Sequence, residues 1–244
     1  MFTKNSRAVK QMAARLVGGL SQHLLGLELE EFFALGCGAI RDLAPGRLGL
    51  ALTFDDGPSS HSTGRILNIL DRNGVRATFF LIGANAVRCP SLVRDIVAGG
   101  HEIGCHGYRH IDFRHQWPWV IRDDLRICKE ILEDLAGVNV YMARPPFLRF
   151  RWDLGAIASS VGLTRLISCN VMPPWDSTAP ETIMNYVCER VAPRAIVLLH
   201  DSTGLEKFDI GGLSNVVVNA LGPLLAALAE RGLPVELIGD DLMV

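Results

Sequence analysis

From residue 48 onward, hydrophobic positions alternate between short apolar runs and longer stretches with helical spacing. A short apolar run bounded by Gly, Pro or charged residues is typical of a buried strand. Seven such runs predict strands at 49–54, 76–82, 101–105, 140–144, 164–169, 195–200 and 234–238. Apolar residues at helical spacing, often followed by Gly, predict helices at 62–72, 91–98, 117–135, 152–160, 180–190 and 215–231. Regular alternation of strand and helix predicts an α/β fold with a parallel sheet, either open and doubly wound or closed into a barrel.

The first 47 residues have a different pattern, with apolar side chains at helical spacing from residue 7 to residue 40. We predict an N-terminal helical extension at 1–47 that packs on the outside of one domain formed by 48–244. The alternative is an interfacial amphipathic helix that brings the protein to a lipid-linked substrate. Glu28, Glu30 and Glu31 make a membrane surface the less favoured partner, because anionic lipids would repel them.

Composition excludes several function classes. Hydrophobic residues make up 49% of the chain, which is enough for a core. The 24 Lys and Arg residues and 26 Asp and Glu residues form no long run of either sign, so charge gives no basis for nucleic-acid binding. The six cysteines contain no Cys-x-x-Cys pair, and the N-terminus lacks the pattern of a secretory signal. These features predict reduced thiols and a cytoplasmic location.

Two adjacent carboxylates, Asp55 and Asp56, follow the first predicted strand directly. By itself this segment fits a solvated Asp-Asp-Gly-Pro turn equally well. Ionised neighbouring carboxylates repel each other, however, and a cation beside them would relieve the repulsion. His106 and His110 follow the third predicted strand with i, i+4 spacing, which places both imidazoles on one side of a tight loop. Asp56, His106 and His110 together would make a metal site of two histidines and one carboxylate with open positions for water.

Other reactive residues also follow predicted strands. Arg144 ends the fourth strand, Asp176 lies in the loop after the fifth, and His200 ends the sixth. Because parallel α/β folds bind ligands at the carboxyl ends of their strands, we expect these side chains to meet at one face. We interpret the remaining four histidines as structural or solvated; they are His23, His61, His101 and His115.

Four segments resemble the motifs of the NodB-type polysaccharide deacetylases, carbohydrate esterase family 4. The Thr-Phe-Asp-Asp-Gly-Pro sequence at 53–58 is identical to the first family motif, and 106–110 resembles its His-[Ser/Thr]-x-x-His motif. Residues 144–147 match its Arg-x-Pro-aromatic motif, and 198–200 resemble its Leu-x-His motif. The resemblance spans about residues 48 to 240 and implies a distorted (β/α)7 barrel, in agreement with the seven predicted strands.

The resemblance also implies a role for each matched position. Asp56, His106 and His110 would hold a divalent ion, usually zinc in this family, with cobalt, manganese or nickel as substitutes. Asp55 would be the general base toward the attacking water, and Arg144 would keep that carboxylate ionised and oriented.

Further implied roles concern the leaving group and the substrate. His200 would protonate the departing amine, and Asp176 would keep that imidazole charged. The backbone N–H of Phe147 would stabilise the oxyanion. Further substrate contacts are expected from Pro146, Trp175 and Leu198.

Three positions depart from the family pattern. Gly107 replaces the Ser or Thr between the two histidines, which removes a hydroxyl that braces the metal loop and predicts weaker metal affinity. Asp176 follows Trp175, whereas the family motif has a Trp after the Asp. Arg149 and Arg151 lie where the family often has a Gly-led loop, and we interpret them as solvated charges that leave room for an anionic or lipid-phosphate substrate.

The leading hypothesis is a metal-dependent hydrolase that removes an acetyl group from an N-acetylated amino sugar or oligosaccharide of the chitin or peptidoglycan type. One alternative is a deformylase or deacylase of a lipid-linked or secondary-metabolite amino sugar. Another is a catalytically inactive carbohydrate-binding barrel, which the intact base, acid and metal ligands disfavour.

Overall fold

Six parallel strands form the central sheet of the computed structural model, which describes residues 31–174, 179–204 and 212–239. The strands are β1 (Ala51–Asp55), β2 (Thr78–Leu81), β3 (Glu102–Cys105), β4 (Met142–Ala143), β5 (Arg165–Leu166) and β6 (Ile196–His200). Their order in the sheet is β5-β4-β3-β2-β1-β6. All six lie within the runs predicted from the sequence or extend them by one residue, and all pair in parallel, as the strand–helix alternation predicts.

The gap between the edge strands β5 and β6 is filled by irregular segments. After β5 the chain crosses toward β6, where Val171 forms a parallel bridge with Val197. Ile40 bridges Ile167 in the same gap, and Asp42 bridges Ala195. The sheet therefore curls into a distorted barrel whose closure uses single bridges in place of a continuous ladder.

Alternation along the strands divides the core into two layers. Side chains on one face of the strands pack inside the barrel in a small cluster that includes Ala51, Phe80, Met142, Ile196 and Leu198. Side chains on the other face pack against the surrounding helices in the larger cluster. Because successive residues of a strand point to opposite faces, Thr53 and Asp55 point inward like Ala51. The inward-pointing residues of β1 thus end with the carboxylate of Asp55, at the end of the barrel where the parallel strands terminate.

Seven α-helices and two 3₁₀ helices have both ends within the described residues. The α-helices are Thr63–Arg72, Gly83–Arg88, Pro90–Ala98, Pro118–Ala136, Leu154–Ser159, Pro180–Arg190 and Gly212–Glu230, and the 3₁₀ helices are Phe113–His115 and Pro146–Leu148. Six of the α-helices were predicted from helical periodicity. The exception is Gly83–Arg88, whose sequence Gly-Ala-Asn-Ala-Val-Arg has a single large apolar residue and therefore shows no apolar period.

The predicted seventh strand at 234–238 is wrong as a strand. In the described part of the chain this segment contributes one parallel bridge, between Val235 and Leu50. Pro234 precedes the bridge and has no N–H with which to extend a ladder. The Glu236 side chain instead accepts a hydrogen bond from the Gly49 backbone at 2.8 Å and pairs with Arg47.

Most of the predicted N-terminal extension lies outside the described residues. Residues 31–36 are helical, and Ala34 is buried in the large cluster while Phe32 and Leu35 are exposed. Within the described ranges, no helix combines the length and apolarity needed to cross a bilayer. The packing of residues 1–30 and the domain boundary at 47 stay predictions.

Candidate metal and catalytic site

The acidic turn after β1 depends on an unusually close backbone approach. Asp56 adopts a positive φ of 79° directly after the strand. A Cβ atom at Gly57 would lie 2.2 Å from Oδ2 of Asp201, so only glycine allows the turn to pack against this buried carboxyl group. The turn is thereby held against the loop that follows β6.

Arg144 is fully buried and fixes the orientation of Asp55. Its guanidinium donates to Oδ1 of Asp55 at 2.7 Å and to the Thr53 hydroxyl at 2.8 Å. It also donates to the carbonyl of Ser168 at 2.9 Å and lies 4.2 Å from the centroid of the Phe80 ring. These contacts leave Oδ2 of Asp55 directed at the histidines, 3.9 Å from Nε2 of His106. The ion pair implied by the family resemblance is therefore present in the structure.

Asp56, His106 and His110 converge at the same end of the barrel. Oδ1 of Asp56 lies 2.9 Å from Nε2 of His110 and 3.3 Å from Nε2 of His106. One ligand atom from each residue falls within 4.8 Å of the others. This donor set of two imidazoles and one carboxylate suits a divalent transition-metal ion.

The tautomer of His106 supports a cation between these groups. Its Nδ1 lies 2.8 Å from the carbonyl oxygen of Arg144, and because a carbonyl only accepts hydrogen bonds, Nδ1 carries the proton. In the neutral ring Nε2 then presents a lone pair to Oδ1 of Asp56, which is buried and has no hydrogen-bond partner among the described residues. A bound cation would satisfy both lone pairs.

Protonation of the histidines is the other way to satisfy the lone pairs in this cluster. The pKa shifts of His106 and Asp56 follow from their close contact. Burial by itself lowers the pKa of His106, but the charges of Asp55 and Asp56 raise it above the ordinary value. Burial raises the pKa of Asp56, but contacts with His106 and His110 lower it well below the usual range. A carboxylate that stays ionised beside two imidazoles is the state that a metal requires.

The loop that carries the two histidines is held by two helices. At the start of Gly83–Arg88, the N–H groups of Gly83 and Ala84 donate to the carbonyls of Gly107 and Tyr108. From Pro118–Ala136, the fully buried carboxylate of Asp124 accepts from the Tyr108 N–H at 2.7 Å and from Arg109 at 2.7 Å.

The glycine between the histidines has a conformational reason. Gly107 has a φ of 77°, and a Cβ there would lie 2.9 Å from Oδ2 of Asp124. A Ser at this position would therefore be strained and would crowd the carboxylate. Asp124 braces the loop from outside, in place of the hydroxyl that the sequence lacks. The predicted loss of metal affinity at Gly107 stays a prediction, and Asp124 is the compensating contact that sequence reasoning missed.

Asn85 is a second residue that sequence reasoning missed. Its side-chain amide is buried and donates to the carbonyl of Asp56 at 2.8 Å and to that of Gly204 at 2.8 Å. It therefore ties the acidic turn to the loop that carries His200. An isolated Asn in a short helix gives no sequence signal for this role.

His200 ends β6 directly opposite Asp55 in the parallel register. Burial raises the pKa of Asp56, the contacts with His106 and His110 lower it below its usual range, and the charge of His200 adds to that lowering. Leu198 lies on the same inward face two residues earlier and is buried in the barrel interior. Its buried position leaves little surface for the substrate contact that was predicted.

The segment after β4 contributes an exposed ring beside the metal ligands. Phe147 adopts a φ of 59°, and its ring centroid lies 4.4 Å from that of His110. Pro146, the residue before it, is buried. The role of the Phe147 N–H toward an oxyanion stays a prediction. Trp175 and Asp176 lie outside the described residues, so their predicted roles are also untested.

Asp201, next to His200 in the chain, has the most unusual protonation in the site. Burial, opposed by the Thr63 hydroxyl that donates to it at 2.6 Å and reinforced by the charges of Asp56 and Asp55, raises its pKa to about 7. Its Oδ1 has no hydrogen-bond partner among the described residues. No sequence pattern points to this carboxyl group, because its environment is formed by Gly57 and Thr63, more than a hundred residues away.

Comparison with known proteins agrees with this geometry. The sequence profile of the family described as polysaccharide deacetylase matches residues 44–166. A chitooligosaccharide deacetylase of Bradyrhizobium sp. (strain ANU 289) is 32% identical over 197 residues, which cover 78% of this chain and 89% of that protein. A peptidoglycan-N-acetylglucosamine deacetylase of Bacillus cereus is 31% identical over 183 residues, which cover 75% of this chain and 64% of that protein, slightly under two thirds of its length.

The fold also matches solved structures. One of them, a CE4 family pseudoenzyme from Bacillus anthracis, has a TM-score of 0.74 and 26% sequence identity, covering 83% of this chain and 68% of that chain. The barrel, the ordered motifs and the matched profile lead to the same assignment. The chain belongs to the polysaccharide deacetylase family, carbohydrate esterase family 4.

Proposed function

We propose that this protein hydrolyses the N-acetyl amide of an N-acetylated amino sugar or oligosaccharide with the aid of a divalent metal ion. The observation that carries the proposal is the convergence of three metal-ligand side chains beside an oriented carboxylate. Asp56, His106 and His110 meet within 4.8 Å, and Asp55 is held by Arg144 with one oxygen directed at that group. The named deacetylase relatives support the substrate class.

Asp56, His106 and His110 would hold the metal, and zinc is the ion we favour for this donor set. When bound, such an ion supplies a Lewis acid that makes water more acidic and polarises an amide carbonyl. Asp55 accepts the proton of the attacking water through Oδ2, because Oδ1 is engaged by Arg144. Arg144 keeps Asp55 ionised and prevents it from rotating away.

The leaving amine needs a proton, and His200 would donate it. His200 stands across from Asp55 at the ends of neighbouring strands, so acid and base lie on two sides of one site. Phe147 forms an exposed wall against His110, where the acyl group or sugar would rest.

We also propose a cytoplasmic location, which the scattered cysteines without a Cys-x-x-Cys pair support.

The test combines metal analysis with product detection. The full-length protein is stripped of metal, reloaded with zinc, cobalt, manganese or nickel, and incubated with N-acetylglucosamine oligomers and with lipid-linked N-acylated sugars. We expect acetate release in step with new amine groups. Asp55→Asn should keep the metal and lose activity by about 10²-fold or more, whereas His110→Ala should lose both, and Asp123→Asn on an exposed helix face is the matched control.

Other outcomes would contradict the proposal in identifiable ways. Formate or long-chain acid release in place of acetate would favour the deformylase or deacylase alternative. Stoichiometric metal with sugar binding but no released acid would favour an inactive binding barrel, an alternative that the Bacillus anthracis pseudoenzyme makes worth testing. Full metal occupancy in His110→Ala would refute the ligand assignment.

A further inference from the structure

The backbone ladder between β1 and β6 ends at the level of the proposed base and acid. Asp55 and His200 are register partners, and the Asp201 N–H donates to the Asp55 carbonyl at 3.2 Å. Directly afterwards Asp56 turns away from the sheet with a φ of 79°. In the described residues no further β1–β6 ladder pair follows this hydrogen bond. Other contacts must therefore fix how far apart the side chains of Asp55 and His200 lie.

Asp201 connects the two segments at the point where the ladder ends. Its carboxyl group is fully buried, and Oδ2 accepts from the Thr63 hydroxyl at 2.6 Å. The same hydroxyl accepts from the Ser59 N–H at 2.8 Å. The Asp201 carbonyl accepts another hydrogen bond, from the Ser62 hydroxyl. One residue thus joins the loop after β6 to the segment after the acidic turn and to the start of the helix Thr63–Arg72.

The carboxyl group of Asp201 also packs directly on the acidic turn. A Cβ atom at Gly57 would overlap both of its oxygens, so no larger residue fits there without moving Asp201. The Gly57 carbonyl accepts from the N–H of Ile82, the residue after β2, at 2.8 Å. The acidic turn is therefore held by β2 and by Asp201 at once.

A fixed separation of base and acid matters for the hydrolysis of an amide. The base accepts a proton from the attacking water, while the acid donates a proton to the departing nitrogen. A misplacement of about 1 Å can lower the rate by about 10²-fold, even when its cause lies away from the reacting atoms. A residue that holds Asp55 and His200 in place can therefore set the rate without touching the substrate.

We infer that Asp201, held by Thr63, is a positioning residue that sets the separation between the side chains of Asp55 and His200. The inference rests on the proposed function, because it takes Asp55 as the base and His200 as the acid. It assigns a role to a residue just outside the segments that resemble the family motifs, the last of which ends at His200.

The test removes the Thr63 hydroxyl while keeping the shape of the side chain. Thr63→Val should lower kcat for N-acetylglucosamine oligomers by about tenfold or more and leave KM and zinc stoichiometry unchanged. Thr63→Ser keeps the hydroxyl and should recover most of the loss. Thr78→Val is the matched control, because Thr78 is equally buried and its hydroxyl donates to Glu102 at 2.8 Å, between β2 and β3. The control should lose stability without losing kcat.

Substitutions of Asp201 itself give a second measurement. Asp201→Ala removes the acceptor of the Thr63 hydroxyl and should lower kcat at least as much as Thr63→Val. Asp201→Asn keeps an oxygen that accepts from this hydroxyl, so it should recover most of kcat. A merely structural role would lower the melting temperatures of Thr63→Val and Thr78→Val alike and change kcat in neither, which would overturn the inference.

Crystal structures of zinc-loaded wild type, Thr63→Val and Thr78→Val separate this inference from the proposed function. The distance from the Asp55 carboxylate to the His200 imidazole should change by on the order of 1 Å in Thr63→Val and stay the same in Thr78→Val. If the wild type releases no acetate but the distance changes in this way, the positioning role stands and the proposed hydrolysis fails. An unchanged distance in Thr63→Val, or an equal loss of kcat in Thr78→Val, would overturn the positioning role.

Discussion

Replacement of Arg144 by Met tests whether the buried ion pair at the base of the site is as costly to break as its geometry indicates. The guanidinium is fully buried, and Asp55 is 2% exposed. Met has a similar length without the charge, so Arg144→Met leaves the buried Asp55 carboxylate without its partner cation. The Thr53 hydroxyl and the Ser168 carbonyl lose their donor in the same change.

The expected loss follows from these contacts. Removing one partner of a buried ion pair costs about 3–5 kcal/mol, because the remaining charge is uncompensated. Loss of the contact with the Phe80 ring adds about 0.5–2 kcal/mol, which the packing of Met partly restores. We therefore expect the free energy of unfolding to fall by about 3–5 kcal/mol, a large share of the roughly 5–15 kcal/mol of a typical domain. For a chain of this length the melting temperature should fall by about 6–20 °C.

Urea unfolding of the metal-free protein measures this loss. Asp55→Asn and the Arg144→Met/Asp55→Asn double variant complete a double-mutant cycle. The double variant should be more stable than the sum of the single losses predicts, by about 1–3 kcal/mol, because neither charge is then left alone. Arg122→Met is the control, since Arg122 pairs with its exposed neighbour Asp123 and its replacement should change stability by less than about 0.5 kcal/mol. A loss below about 1 kcal/mol for Arg144→Met, or strict additivity in the cycle, would refute the reasoning.

Two further predictions concern groups around the metal loop. The pKa of Asp201 is raised from an ordinary 3.8 to about 7, so between these values the folded protein keeps a proton that the unfolded chain releases. The stability linked to this proton is complete below about pH 4 and is lost as pH rises through about 7. Relative to Asp201→Asn, metal-free wild type should therefore lose on the order of 4 kcal/mol across that window in urea titrations, and a difference independent of pH would contradict this assignment. Asp124→Asn turns one acceptor of the loop brace into a donor and should weaken zinc binding by about 10–100-fold in a chelator competition; the exposed Asp123→Asn should leave affinity unchanged, and equal affinity in both variants would show that the loop does not need the brace.

The local pattern of the sequence determined the strands and most helices. Each strand is an apolar run, and its burial on both faces follows from helices outside the barrel and a packed interior. The seventh run, 234–238, has the same apolar character but begins at Pro234, whose missing N–H limits it to one bridge. Periodicity shows where apolar residues lie along the chain. It does not show whether a neighbouring strand has free N–H and C=O groups to pair with.

The sequence also named the metal-ligand set, because Asp56, His106 and His110 each follow a strand and parallel strands end at one face. Their distances and the tautomer of His106 were decided only by the tertiary structure, since the proton on Nδ1 is directed by the carbonyl of Arg144 from another strand. Tertiary structure likewise decided the hydrogen bonds by which Asn85 and Asp124 hold the site loops. It also decided the burial of the Asp201 carboxyl group against Gly57, which raises the pKa of Asp201. Sequence spacing determines which reactive groups reach the open end of the barrel, whereas burial and long-range hydrogen bonds determine how each one is oriented and charged.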